Sequence, residues 1–421
     1  MNENSTPESG SLMDALRSSW ALLLGFGILM LGDGLQATLL AVRADQEGFS
    51  TTTTGFVMSA FYVGFLGGSL YAPRIMTRVG HIRVFAALAA LASAAILVHA
   101  VFISPWVWSG LRLISGFSFA GLYVVAESWL NDSSSNQSRG KVLSMYMLVT
   151  YIGVAVGQLF LNLGDPQDFP LFILSSVLIS LAVVPLLLSA GPAPQFRVSA
   201  SLSLPALLRI SPLGVVGIFS VGLVTAAFFA LGPVYGQRIG LDIPNISLFM
   251  TAAVIGTILL QWPIGALSDR FDRRRVVTLV TLLTAVAAGA CVPAAEISPL
   301  VLMVAVGVFG GLAFPLYALC IAHTNDHLQP QEMIAASASL VLIGGLGAVT
   351  GPLLIAAIMD RFGNSGFFWS IAIIHAVTGL FALFRMLRKP PPSASDQGPF
   401  TPTTLHPTSS SMDFNTEDNE K

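Results

Sequence analysis

Read along its length, the chain alternates between long apolar runs and short polar breaks. No run shows the two-residue alternation expected of a membrane barrel strand. Twelve runs are each long enough, as a helix, to cross about 30 Å of hydrocarbon. Six lie near Trp20–Val42, Phe56–Ala72, Val84–Phe102, Trp106–Trp129, Val142–Leu163 and Pro170–Ala190. Six more lie near Leu213–Tyr235, Ile246–Ala266, Val276–Val292, Pro299–Ala322, Met333–Ile358 and Phe367–Met386. The pattern predicts an all-α polytopic membrane protein of twelve spans. The first run is longer than the apolar core of a cleavable signal and has a counterpart later in the chain, so it reads as a span.

The breaks divide the chain into a short N-terminal tail (1–18), a six-helix half (19–190), a Pro/Ser-rich linker (191–211), a second six-helix half (212–388) and a polar tail (389–421). The last segment lacks the apolar surface needed to fold and is expected to be disordered. Composition sharpens this picture: 54% of the residues are hydrophobic and 10% charged, against about 25% charged in soluble domains. Cys291 and Cys320 both lie in apolar runs, which argues against a disulfide framework. Basic residues sit in short loops, so nothing points to nucleic acid.

Those basic residues orient the chain. With a cytoplasmic N-terminus, sixteen Lys and Arg fall on that side, three (Arg43, Arg238, Arg361) on the other, and Arg112 within a span. Both termini are then cytoplasmic, with the chain in a bacterial inner membrane.

The two halves are related. A shift of 194 lays GFSFAGLYVVAESWLND (116–132) over GGLAFPLYALCIAHTND (310–326), matching Gly116 with Gly310, Tyr123 with Tyr317 and Asp132 with Asp326. The same shift pairs Gly153 with Gly347 and Gly157 with Gly351, while a shift of 192 pairs Gly64 with Gly256, Arg78 with Arg270 and Arg83 with Arg275. Two six-span halves in parallel orientation are a transporter architecture.

Between spans 8 and 9 stands GALSDRFDRRR, with Gly265, Asp269, Arg270, Arg273 and Arg274; between spans 2 and 3 stands PRIMTRVGHIR, with Arg78, Gly80 and Arg83. Span 4 opens on RLISGFSFAG, with Arg112 and Gly116. On these motifs the chain, over residues 15 to 390, resembles the major facilitator superfamily. AGLYVVAESWLND is similar to bacterial permeases of the YcaD type. The resemblance implies two pseudo-symmetric halves that move a small-molecule solute by alternating access, with spans 1, 4, 7 and 10 lining a central cavity. It also implies that the signature loops lock one conformation at the cytoplasmic side and that the span 4 motif bears on proton coupling. Two departures stand out: Asp272 replaces the family's glycine in the second loop, and Thr77 stands where the first should carry an acid. In span 5, Gly153 and Gly157 match the antiporter motif, but Gln158 replaces its proline; the Gly-Pro pair occurs in the second half as Gly351–Pro352. Proton-driven efflux of amphipathic or cationic compounds is thereby weakened as an alternative.

Charges inside the membrane carry the functional reading. An ionised side chain at mid-bilayer costs about 2.5–3.5 kcal/mol on insertion scales, so it should meet a partner or water. At 1.5 Å per residue, Asp33 lies about 14 Å and Arg112 about 9 Å below the outer surface. With their helices adjacent, the two form a candidate proton-responsive pair; the alternative is a permanent ion pair that fixes helix packing. Their counterparts in the second half are Thr225 and Val306. Glu127, about 22 Å from Arg112 along span 4, lies near Arg78, Arg83 and Arg139 and reads as a gate or structural ion pair. Gln36 shares the face of Asp33 and, with Phe228 and Phe229, is a candidate solute contact; the alternative is a helix–helix hydrogen bond for Gln36 and lipid-facing packing for the two phenylalanines. His323 and His327 have ligand-like spacing without further donors, so no metal is assigned. No Walker loop or catalytic constellation is present, and no cofactor is expected. The expected assembly is a monomer in the lipid bilayer. The rival from another class is a transport-inactive receptor or assembly partner that kept the fold.

Overall fold

The computed structural model describes residues 12–133, 139–188 and 203–388, together with Gly398, Phe400 and Thr408. Among the described residues, twelve helices are long and apolar enough to cross a membrane: α1 (Ser19–Gln46), α2 (Thr51–Val79), α3 (His81–Val101), α4 (Pro105–Asp132), α5 (Gly140–Leu163), α6 (Pro170–Leu187), α7 (Pro212–Arg238), α8 (Ile243–Arg270), α9 (Arg273–Ile297), α10 (Pro299–Asn325), α11 (Ala335–Phe362) and α12 (Gly366–Arg388). Within the expected linker, the described part forms a short helix, Leu204–Ile210. The tail expected to be disordered lies outside the described residues, except for Gly398, Phe400 and Thr408. So do residues 1–11, while Leu12 already belongs to the first helix.

Large apolar side chains such as Trp262, Val286 and Leu387 face outward, and polar ones such as Gln36, Glu127 and Gln158 are buried. This is the inverse of a soluble protein and suits a bundle whose outer solvent is lipid. Several helices run further than the apolar runs predict, because polar turns continue the helical hydrogen bonding past the hydrocarbon. For instance, α1 extends to Gln46 and α2 begins at Thr51. Ser50, Ser211, Asp242 and Ser298 cap the starts of α2, α7, α8 and α10 through their side chains.

The duplicated glycines occupy duplicated crossings. On α4, a Cβ at Gly116 would stand 1.9 Å from the Phe61 carbonyl oxygen of α2; on α10, one at Gly310 would stand 2.4 Å from that of Ala253 on α8. Gly157 on α5 presses on the Leu31 carbonyl of α1 (2.3 Å), and Gly351 on α11 on that of Leu223 of α7 (2.1 Å). Gly153 likewise meets Met30 of α1. Small residues at such points let membrane helices pack backbone to backbone. The loops repeat too: Gly48 and Gly240, 192 positions apart, hold φ of 76° and 86°, a left-handed conformation that favours glycine.

The halves meet where α1 and α2 pack on α7, α2 on α11 and α5 on α8. The Pro352 carbonyl of α11 lies against Gly55 of α2. We call the side holding Ser19 and Arg388 the terminal side and the other the far side.

Candidate functional site

Between the halves lies a narrow chamber of about 60 Å³ whose walls include Tyr62, Tyr151, Thr225, Phe314 and Tyr317. One part of its wall, Phe314, lies at a break in α10. Residues Phe314 and Pro315 leave the helix between Pro299–Ala313 and Leu316–Asn325, because proline has no N–H to continue the ladder. Next to the chamber is a smaller annex of about 30 Å³, lined by Asp33, Arg112, Gln158, Phe61 and Phe229 among others. Tyr62 lines both spaces and donates to the Ala226 carbonyl of α7 (3.4 Å).

Asp33 and Arg112 are both buried and share the annex. Among the described residues no ion pair within 4.0 Å joins them. The Arg112 guanidinium lies instead over the Phe61 ring, 4.3 Å from its centroid, with Nε lacking a hydrogen-bond partner among the described residues. A direct, permanent pair is therefore not the arrangement found. Gln36 is fully buried one turn from Asp33 but lines neither space, and both its amide atoms lack partners among the described residues. The adjacent phenylalanines part company. Phe229 lines the annex and stacks on Phe314 (5.4 Å between centroids), whereas Phe228 is packed among Phe249, Phe309 and Phe367. Tyr123 packs on Phe26 and donates to Met30 Sδ, while its duplicate Tyr317 faces the chamber.

Side chains on the far side, which sequence reasoning did not single out, tie the halves together. Arg238 of α7 pairs with Asp45 of α1 at 3.0 Å and bonds Thr51 of α2. Thr52 donates its backbone N–H (3.0 Å) and hydroxyl (2.6 Å) to Asp360 of α11. Asn162 of α5 donates to Ser247 of α8 at 2.8 Å. The signal for this cluster was weak but present: Arg238 is one of only three basic residues on the sparsely charged side.

On the terminal side, Arg273 is buried and tightly held. It donates to Asp326 (2.6 Å), the Ala322 carbonyl (3.2 Å), Ser268 (2.9 Å), Asp269 (3.3 Å) and the Gly398 carbonyl (2.6 Å). These contacts stay within the second half and the tail, rather than bridging to the first half. Burial pushes the Asp326 carboxyl up, and the Arg273 charge only partly offsets it. Arg270 is exposed, as are Arg78 and Arg83, neither of which pairs with Glu127. Glu127 is fully buried and accepts from Tyr146 (3.3 Å) and from Thr408.

Residues 22–248 and 236–411 each match the family model of the Major Facilitator Superfamily. The chain belongs to the Major Facilitator Superfamily. It is 28% identical over 375 residues to the "Uncharacterized MFS-type transporter YcaD" of Salmonella typhi, covering 89% of this chain and 97% of that one. The Salmonella newport (strain SL254) protein of the same name matches to the same extent. Among solved structures, the fold is similar to the nucleoside transporter NupG (TM-score 0.71, 15% identity, 88% of this chain and 99% of that one). It is also similar to a D-xylose-proton symporter (TM-score 0.69, 13% identity, 92% and 99%). It is thus a multi-pass membrane transporter of this superfamily.

The superfamily's motifs explain two departures. Gly80 in the first loop takes φ 92°, which favours glycine, but its counterpart Asp272 takes φ −51°. An aspartate fits there and caps α9, its side chain accepting from the Arg274 backbone. Burial pushes the Asp272 carboxyl up, but the Arg274 bonds and the Arg274 and Arg275 charges outweigh this and hold it below the usual carboxylate range. In α5, Gln158 stands where antiporters of the superfamily carry proline, and it lines the annex while accepting from Thr251 of α8 (3.4 Å).

Proposed function

We propose that this chain is a proton-coupled secondary transporter of a small, amphipathic organic solute, working by alternating access. The observation that carries the reading is the annex: an acid and a base, Asp33 and Arg112, are buried side by side in a cavity without forming an ion pair. Such charges in a membrane interior are costly unless they serve a pathway or relay. The apolar, tyrosine-rich chamber beside the annex suits a solute with an aromatic or aliphatic body and few charges. Tyr62 stands between the two.

In this reading Asp33 takes up and releases the proton, Arg112 stabilises its ionised form, and Phe229 and Tyr62 bound the solute. Gln36, which lines neither space, is not a solute contact in this reading, and Phe228 is a packing residue. The bias of Lys and Arg supports cytoplasmic termini in an inner membrane. The far-side bonds of Arg238, Thr52 and Asn162 then hold the outer entrance shut. The duplicated halves supply the two bodies that rock about the chamber.

The test is flux in proteoliposomes under an imposed pH gradient, over a panel of neutral and cationic amphipathic solutes. Wild type is expected to show pH-driven flux, and Asp33→Asn to lose at least about tenfold of it, a change worth about 1.4 kcal/mol, while remaining folded. Undiminished pH-driven flux in Asp33→Asn would remove the carboxylate from the mechanism.

A further inference from the structure

Several buried polar side chains around Asp33 and Arg112 lack partners. Among the described residues, Gln36 of α1 lacks one at both amide atoms, Arg112 of α4 at Nε, Ser115 of α4 at Oγ and His99 of α3 at Nε2. All four residues are at least nine-tenths buried. Interior polar atoms are nearly always hydrogen-bonded, to protein or to ordered water. Orphans on three neighbouring helices therefore mark a place for water, and the annex supplies room at its deep end.

The four stand in order of depth. Counted at 1.5 Å per residue from the far-side ends of their helices, His99 lies about 3 Å down and Arg112 about 10 Å. Ser115 and Gln36 lie about 15 Å down, and Asp33 about 20 Å. On α4, Trp108, Arg112 and Ser115 share a face, being four and three residues apart. The His99 ring packs on that of Trp108 (5.4 Å between centroids), and Trp108 Nε1 donates to the His99 carbonyl (3.2 Å), which ties the end of α3 to this face. At the deep end, Gln36 shares the face of Asp33 on α1. The file belongs to the first half alone, and none of the residues that tie the halves together on the far side is part of it.

His99 has the chemistry for an entry. Its Nδ1 lies 2.7 Å from the Ala95 carbonyl, which can only accept, so Nδ1 carries the hydrogen and Nε2 holds the free lone pair. Of the elements packed on α3, α4 brings Arg112, the far-side half of α2 brings Tyr62, and α6 brings no titratable group. The turn that sets Phe49 on the Trp108 ring carries Glu47, which is held by Arg43 (2.6 Å).

We propose that His99 is a far-side proton entry to Asp33, connected to it by water along this file and separate from the solute's path. The inference rests on the proton-coupled reading above. Nε2 takes a proton from far-side water and releases it to water beside Arg112, Ser115 and Gln36, and that water protonates the Asp33 carboxylate. A cation on such a path bars a freely diffusing proton, so Arg112 meters the passage instead of leaving a leak. Asp33 can then be loaded from the far side while the halves stay tied together there.

The test reads protonation and flux separately, on the full chain in vesicles with the far side outward. After a rapid drop in outside pH, the infrared band of a protonated carboxyl should rise in wild type and be absent in Asp33→Asn. His99→Gln should slow that rise at least about tenfold and lower pH-driven flux, while exchange of labelled solute without a pH gradient stays within about twofold. Ser115→Val should also slow the rise and Ser115→Thr restore it, which keeps the entry testable if His99→Gln does not fold. The control is Ser93→Ala, which loses bonds to Ser176 and Ser180 of α6 (2.7 and 2.8 Å) off the file and should leave the rise unchanged. An unslowed rise in folded His99→Gln or Ser115→Val would overturn the entry, as would equal losses of pH-driven flux and exchange in His99→Gln. If Asp33→Asn still abolishes pH-driven flux, that failure leaves the transport reading standing; undiminished flux in Asp33→Asn removes both.

Discussion

The two halves place their helices on one another at the same glycines yet give matching positions opposite chemistry. Gly116 and Gly310 make equivalent crossings. Around them, Asp33 and Arg112 of the first half correspond to Thr225 and Val306 of the second. At the terminal side the inequality reverses: the Arg273–Asp326 ion pair of the second half corresponds to His81 and Asp132 in the first, where His81 meets Ser128 at 3.3 Å. Duplication has preserved positions where no side chain fits and freed those that face a cavity or solvent. Midplane charge thus belongs to one half and the terminal-side ion pair to the other.

The comparison breaks most severely if the glycine crossings are not equivalent. Gly116→Val and Gly310→Val should each overpack a backbone contact and cost about 3 kcal/mol, read as a fall in Tm in detergent; a folded, stable Gly116→Val would sink the equivalence. Next in size is the asymmetry of charge. Arg112→Lys keeps the charge but loses the planar group stacked on Phe61. It should lower pH-driven flux about tenfold, whereas Val306→Ile should stay within about twofold; equal losses would make the difference between halves irrelevant to transport.

The far-side tie comes third. Arg238→Ala removes charged hydrogen bonds worth about 1.5–3 kcal/mol and should raise maleimide labelling of Thr54→Cys about tenfold, with Arg275→Ala as the exposed control leaving it unchanged. Smaller still, Phe228→Leu should lower stability by about 1 kcal/mol with KM unchanged, while Phe229→Leu should raise KM with little loss of stability. A KM shift confined to Phe228→Leu would reverse the assignment of the two rings.

The smallest effect is electrostatic. The carboxyl of Asp272 is held below its ordinary value of 3.8, so its contribution to stability is present above that value and fades as pH falls through the depressed one. Asp272→Asn should cost at most about 1 kcal/mol at pH 6, as for a solvent-screened pair, and nothing once the wild-type carboxyl is protonated. A Tm difference that grew on acidification would contradict this sign.

Span count, pairing of halves and the crossing glycines were legible because hydropathy, run length and repeat spacing are local in sequence. Helix ends were not. The polar turns at Asp45, Thr51 and Arg238 lower hydropathy without ending the helix, and they are the turns that build the far-side tie. Within the candidate site, Asp33 and Arg112 stood out because charge in a lipid-spanning run demands an explanation. Tyr62, Tyr151 and Phe314 did not, since an aromatic in such a run suits lipid, core and cavity alike; Phe228 and Phe229, one residue apart, face different surroundings. The tail contacts escaped notice because three of them run through backbone groups of Gly398 and Phe400, which composition does not register.

The break at Phe314–Pro315 gives α10 two allegiances. Its first part, Pro299–Ala313, packs on α8 and α9, and its second, Leu316–Asn325, on α7 and α9. Phe314 faces the chamber at the joint, and Asp326 follows directly after the second part. On the proposed transport reading, a solute against Phe314 would bear on the joint of this helix, from which the second part runs straight to Asp326 and its ion pair with Arg273.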